Sequence, residues 1–184
     1  MKKPKNSIDI WVFDQKRINL RPHYKAIKFI MKQYHLDNIG LSYNDKGKPI
    51  LTEENMKISI AKRDAVVLYA FSWKQEIGVD IEKKVPLQDI ESLSKYIFSE
   101  IHIQDILYSI DGDIVEAFYK HWTLYEAFAK WLGSGLAYVL ENKTVINKSC
   151  FFSSNFMIHP FYIGTVVCEK KKNIQFIQNV PNKI

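Results

Sequence analysis

Apolar and polar side chains alternate with period two over residues 7–13 (SIDIWVF), which predicts a strand near the start of the chain. Over 21–34 the period becomes helical. Leu20, Tyr24, Ile27, Met31 and Tyr34 form one stripe, and Arg21, Lys25, Lys28 and Lys32 form the opposite one. Residues 45–49 (DKGKP) break the pattern. Three strand candidates follow, at 57–61, 65–73 (AVVLYAFSW) and 77–82 (IGVDIE); the short connection 74–76 predicts that the last two form an antiparallel hairpin. Helical patterns cover 87–98, 101–108 and 114–132, the last stopped by Gly133 and Gly135. Residues 144–146, 150–153, 156–158 and 164–169 read as short strands, and the polar tail from Lys170 is expected to fray.

Each half of this pattern places helical sequence ahead of strands. The fold expected is therefore α+β, built as two similar α/β half-domains in one chain, 1–85 and 86–184. Of the 184 residues 47% are apolar and 25% charged, which supports a packed core and excludes disordered and fibrous classes. No apolar run approaches the roughly 20 residues of a membrane-spanning helix, so a cytoplasmic protein without a membrane partner is expected. Cys150 and Cys168 lack the close spacing of a redox or zinc pair and are expected to be reduced packing residues. The histidines are scattered without ligand spacing, leaving oxygen donors for any metal.

The net charge of +6 favours anionic partners: phosphates, nucleic acid or an acidic protein. Nucleic acid is disfavoured by residues 99–118, which hold five acids and no Lys or Arg. Within 77–82, Ile77, Val79 and Ile81 point to one face, and Gly78, Asp80 and Glu82 to the other. Adjacent carboxylates on a sheet face repel unless water or a cation lies against them. The helix 118–132 is apolar nearly all round, except for a stripe of Tyr119, Thr123, Glu126 and Lys130. That stripe admits two readings. Glu126 and Lys130 could satisfy each other as a structural ion pair, or Glu126 could join Asp80 and Glu82 around a hard cation while Lys130 meets a phosphate.

IGVDIEKK (77–84) and WTLYEAFAKWLGSGL (122–136) together resemble the two signature motifs of the 4′-phosphopantetheinyl transferase superfamily, and QYHLDNIGLSYNDKGKPIL (33–51) is similar to the stretch around its GKP element in the two-lobed, peptide-synthetase-activating type. The resemblance implies transfer of the phosphopantetheine arm of coenzyme A to a serine of an acyl or peptidyl carrier protein, with magnesium as cofactor. It implies magnesium ligands Asp80, Glu82 and Glu126, proton removal by Glu126 or Glu82, and charge stabilisation by Lys130. Lys48 would contact a coenzyme A phosphate, placing coenzyme A on the N-terminal half, which carries GKP and GVDIE; a monomer suffices. The chain departs from the family pattern at Ser59-Ile60-Ala61, where a Ser-His-Ser element is usual. Ser59 remains, and Lys62 and Arg63 could supply the lost phosphate contact; Lys16, Arg17 and Arg21 could replace a shortened basic segment. These departures leave an alternative, a catalytically lapsed member that binds coenzyme A or a carrier protein. A metal-dependent nuclease is a third reading, since Glu82-Lys83-Lys84 has an E-x-K form.

Overall fold

The computed structural model describes residues 1–14, 23–109 and 113–178. In chain order these form β1 (Ser7–Asp14), α1 (His23–Gln33), β2 (Leu41–Tyr43), β3 (Pro49–Leu51), β4 (Met56–Arg63), β5 (Val66–Trp73) and β6 (Ile77–Lys83). There follow α2 (Ile90–Ile97), α3 (Glu100–Leu107), α4 (Ile114–Leu132), α5 (Leu136–Glu141), α6 (Val145–Lys148), β7 (Phe152–His159), β8 (Tyr162–Cys168) and β9 (Asn173–Ile177). The fold is α+β, as the alternating pattern predicts. One sheet has strand order β4-β5-β1-β9, a second β6-β8-β7, and β2 pairs with β3 in a small hairpin.

Strand alternation sorts the core into layers. Ile8 and Ile10 of β1, with Leu68 and Ala70 of β5, pack against Ile77, Val79 and Ile81 of β6 and Val166 of β8, joining the two sheets through one apolar layer. The other face of the first sheet, with Trp11, Phe13, Tyr69 and Phe71, is covered by Ala26, Ile27, Ile30 and Met31 of α1. Three polar groups lie in that layer and satisfy one another: buried Asp9 accepts from the Tyr34 hydroxyl at 2.7 Å, which accepts from the Trp11 indole at 2.9 Å. Lys25, Lys28 and Lys32 are exposed, as their stripe predicts, but Tyr24 is exposed with them and its place on the apolar face is taken by Ala26 and Ile30. The start of the expected 21–34 helix falls outside the described residues, as do Lys16, Arg17 and Arg21.

Three local expectations are corrected. β5 and β6 do not form a hairpin: β5 pairs antiparallel with β4 and β1, while β6 pairs with β8. The short connection carries the chain from one sheet to the other instead of returning it beside itself. Residues 145–148 are helical, because Ile146 points into the helical cluster around α4 as one turn of α6. The tail does not fray at Lys170. Asn173–Ile177 adds β9 to β1 as a parallel edge strand, a pairing across most of the chain that no local pattern encodes. Strands thus cross residue 85 in both directions, β6 into the sheet of β7 and β8, and β9 into the sheet of β1.

α4 lies along β6 and β8 on the face away from the first sheet. Asp113 caps its N-terminus by accepting from the Glu116 amide, and Gly133 ends it at φ 72°, a left-handed conformation that suits glycine. The approach of α4 to β6 is limited at Gly78. A Cβ there would lie 1.9 Å from the Ala127 carbonyl oxygen and 2.6 Å from the Trp131 nitrogen, both backbone atoms. Gly78→Ala is therefore expected to destabilise the protein by roughly 3 kcal/mol or more. Chemical denaturation checks this, and a loss below about 1 kcal/mol would mean that α4 can move off the strand at little cost.

Candidate active site

Because α4 sits so close to β6, side chains from the same faces of the two elements are forced together. Asp80 and Glu82 project from β6 toward α4, and Glu126 projects from α4 toward them, with one carboxylate oxygen of each within 4.8 Å of the others. Among the described residues this is the one group of three or more His, Cys, Asp or Glu side chains with such convergence. Asp80 is 4% exposed. One of its oxygens accepts from Lys130 Nζ at 2.7 Å; the other, Oδ2, is buried without a partner. A buried carboxylate oxygen without a partner, on a residue clustered with two further carboxylates, is an expensive arrangement without a cation.

The electrostatics follow from that crowding. Burial, then repulsion from Asp80, pushes Glu126 from an ordinary 4.5 up to about 7. Burial followed by the Asp80 charge also raises Glu82, against the pull of Arg63, whose Nε lies 3.0 Å from Glu82 Oε2. Burial raises Asp80 as well, despite Lys130. The direct Glu126–Lys130 pair that helical spacing allows is not formed: Lys130 reaches across to β6. Three oxygen donors from two rigid elements fit a hard divalent cation, with positions left over for water or phosphate oxygens.

The remaining members of the α4 stripe do other work. Thr123 Oγ1 is 2.7 Å from Thr165 Oγ1 on β8, and Asn155 donates to the same threonine at 2.8 Å, so Thr123 fastens the helix to the second sheet. Tyr119 is buried in the helical cluster. Tyr125 is buried too, with its hydroxyl accepting from the Ser99 amide at 2.9 Å.

A cleft of about 340 Å³ opens beside the carboxylates. Its lining includes Glu126 and Lys130 of α4, Lys46 and Lys48 of the β2–β3 turn, Ser59 and Ile60 of β4, and His23 at the start of α1. A larger cleft of about 710 Å³ adjoins it at Lys48 and Pro49 but holds none of the three carboxylates, so the chemistry belongs to the smaller one. Several expected phosphate contacts are engaged within the protein. Lys48 Nζ is 2.7 Å from Glu76 and donates to the Trp131 carbonyl at 2.8 Å, and Arg63 pairs with Glu82. Ser59 Oγ is buried and accepts from the Val79 amide at 3.0 Å, tying β4 to β6. Lys62 is exposed, near enough to His23 for its charge to depress the imidazole, which burial already lowers. His23 and Lys46 are cleft residues that sequence reasoning missed, and for His23 no spacing relates it to the carboxylates.

An α+β scaffold that gathers three carboxylates, one of them with a lysine lining the adjoining cleft, is suited to holding a divalent cation against phosphate groups. The chain belongs to the 4′-phosphopantetheinyl transferase superfamily, whose family model matches residues 76–168, just over half of the chain and the stretch from β6 through β8. It is 29% identical over 107 residues to the 4′-phosphopantetheinyl transferase HetI of Nostoc sp., a match covering 56% of this chain and 45% of that protein. Against the 4′-phosphopantetheinyl transferase of Bacillus subtilis it is 30% identical over 117 residues, covering 62% of this chain and 51% of the relative. The L-aminoadipate-semialdehyde dehydrogenase-phosphopantetheinyl transferase of Rattus norvegicus is 26% identical over 117 residues, covering 57% of this chain and 38% of its own length. The chain thus spans about half the length, or less, of these relatives.

The raised Glu126 carboxyl yields a stability prediction for the metal-free protein. The folded state holds this proton more tightly than the unfolded chain, so the contribution is favourable below about 4.5 and is lost as pH rises through about 7. Glu126→Gln removes the loss. Denaturation curves of the two proteins should coincide near pH 4 and diverge as pH rises, with the variant more stable at pH 8 by on the order of 2 kcal/mol. A variant no more stable than the parent at pH 8 would show that Glu126 carries no such strain.

Proposed function

We propose that this chain transfers the 4′-phosphopantetheine arm of coenzyme A to a serine of an acyl or peptidyl carrier protein. The observation that carries the reading is the convergence of Asp80, Glu82 and Glu126 beside a cleft that also holds Lys130. Family membership supports it independently.

In this reading Asp80, Glu82 and Glu126 hold magnesium, and the orphaned Asp80 Oδ2 supports that assignment. When bound, the ion neutralises charge on the coenzyme A pyrophosphate. The carrier serine hydroxyl attacks the phosphorus that bears the pantetheine arm; a new oxygen–phosphorus bond forms as the bond to adenosine 3′,5′-bisphosphate breaks. Glu126 takes the serine proton, or Glu82 does so, directly or through water. The rise toward 7 belongs to the cation-free cluster; beside a bound cation Glu126 would titrate lower again and stay ionised, the form a base needs. Lys130, released from Asp80, stabilises charge on the transferring phosphoryl group, and Lys48, Ser59, Lys62 and Arg63 surround the nucleotide side. The work is positioning and charge neutralisation, with the partners brought together on rigid elements. The chain is taken as two α/β half-domains, 1–85 and 86–184, acting as a cytoplasmic monomer without nucleic acid.

The test is intact-mass spectrometry of apo carrier proteins incubated with this protein, coenzyme A and magnesium. Addition of the phosphopantetheine mass is expected. Glu126→Ala and Asp80→Ala are expected to slow the addition by roughly a hundredfold or more while still folding. No addition across several carriers by the folded wild-type protein would overturn the reading.

A further inference from the structure

Lys48 and Lys130, which line the cleft, are each committed to a carboxylate at 2.7 Å. His23 is held differently. Its Nδ1 lies 2.8 Å from the Tyr69 hydroxyl, and the two rings meet edge to face with centroids 5.8 Å apart. Tyr69 is fully buried on β5, directly opposite Ile60 of β4, whose side chain lines the same cleft. Ile60 offers no polar atom there, so on this wall the imidazole supplies the polar group. Burial pushes the Tyr69 phenol above its usual value, so it keeps its proton and can donate it to Nδ1; the contact is equally compatible with donation from Nδ1–H to the phenol oxygen. With Nδ1 accepting, the neutral ring carries its proton on Nε2, and Nε2 has no partner among the described residues. In that tautomer His23 brings an N–H donor to the cleft wall, oriented from behind by a buried phenol.

We infer that His23 is a substrate-binding residue of this cleft, donating from Nε2 to a phosphate oxygen of the ligand while Tyr69 fixes the ring as a positioning residue. The identity of that ligand as coenzyme A rests on the proposed transferase function. The donor comes from the start of α1, a different element from the one that carries Ile60, so it can be removed without touching the carboxylates or the strand that supports them. The exposed Lys62 on β4 adds positive potential on the same side, which favours an anion over a neutral group.

Two variants separate binding from folding. His23→Asn keeps an oxygen acceptor near the Nδ1 position for Tyr69 and removes the cleft donor; His23→Gln reaches farther and restores an amide donor near Nε2. Calorimetric titration with coenzyme A, and separately with pyrophosphate, is expected to give a dissociation constant for coenzyme A raised roughly tenfold in His23→Asn and by less than about threefold in His23→Gln. In carrier modification His23→Asn is expected to raise KM for coenzyme A with kcat kept within about twofold. In the wild-type protein, labelled at histidine nitrogens, the His23 Nε2 resonance is expected to move on addition of either ligand. Unchanged affinity in a folded His23→Asn, or an unmoved Nε2 resonance in a wild-type protein that does bind coenzyme A, overturns this inference and leaves the transferase reading standing. Failure of the wild-type protein to bind coenzyme A overturns both.

Discussion

The contact on which the rest of the structure depends is the backbone-to-backbone approach of α4 to β6 at Gly78. A glycine there lets the Ala127 carbonyl and the Trp131 amide come where any side chain would stand. This shortens the distance between the two elements until carboxylates on both of them share one space. Thr123 and Thr165 lock the helix along its length, and Gly133 ends it where the chain must turn away beside Lys48. Asp80, Glu82, Glu126 and Lys130 are therefore held on one strand and one helix, the arrangement that places functional groups more precisely than loops can.

That closeness is costly in the absence of a cation. Burial raises all three carboxyls, and one oxygen of Asp80 has no partner. Lys130 and Arg63 offset part of the cost through ion pairs, but two cations for three carboxylates leave the cluster electrostatically unbalanced. A packed core would tolerate leucine at such positions far more readily. Retaining acids there is understandable where stability is exchanged for chemistry.

Much of this was legible in the sequence because it is encoded by short periods. The pleat of 77–82 already separates Ile77, Val79 and Ile81 from Gly78, Asp80 and Glu82, and the structure sends the first set to the inter-sheet core and the second toward α4. Helical spacing likewise puts Glu126 and Lys130 on one stripe. What the pattern could not reveal is which strand lies beside which. The hairpin expected from the short 74–76 connection is absent because β6 finds its partner in β8, and β9 returns to β1 across most of the chain. Both outcomes depend on burial of whole sheet faces, which no window of a dozen residues contains. His23 was illegible for the same reason. Its role depends on Tyr69 and Ile60 being neighbours on adjacent strands, and nothing in its own surroundings in the sequence marks it.

The ion pairs of the cleft set the terms on which ligands can enter. Lys130 with Asp80, Lys48 with Glu76 and Arg63 with Glu82 each join a cation suited to phosphate with a carboxylate. An anion arriving alone must compete with the carboxylate for the lysine, and a metal ion arriving alone must compete with the lysine for the carboxylate. Under the proposed function, the two arriving together would exchange partners: Asp80 would turn to the metal as Lys130 turned to the phosphate, and neither charge would be left buried and unpaired. Metal and anion binding would then be coupled favourably in both directions, since each removes the competitor of the other. A site wired in this way would keep its cationic side chains paired until both halves of the reacting complex are present.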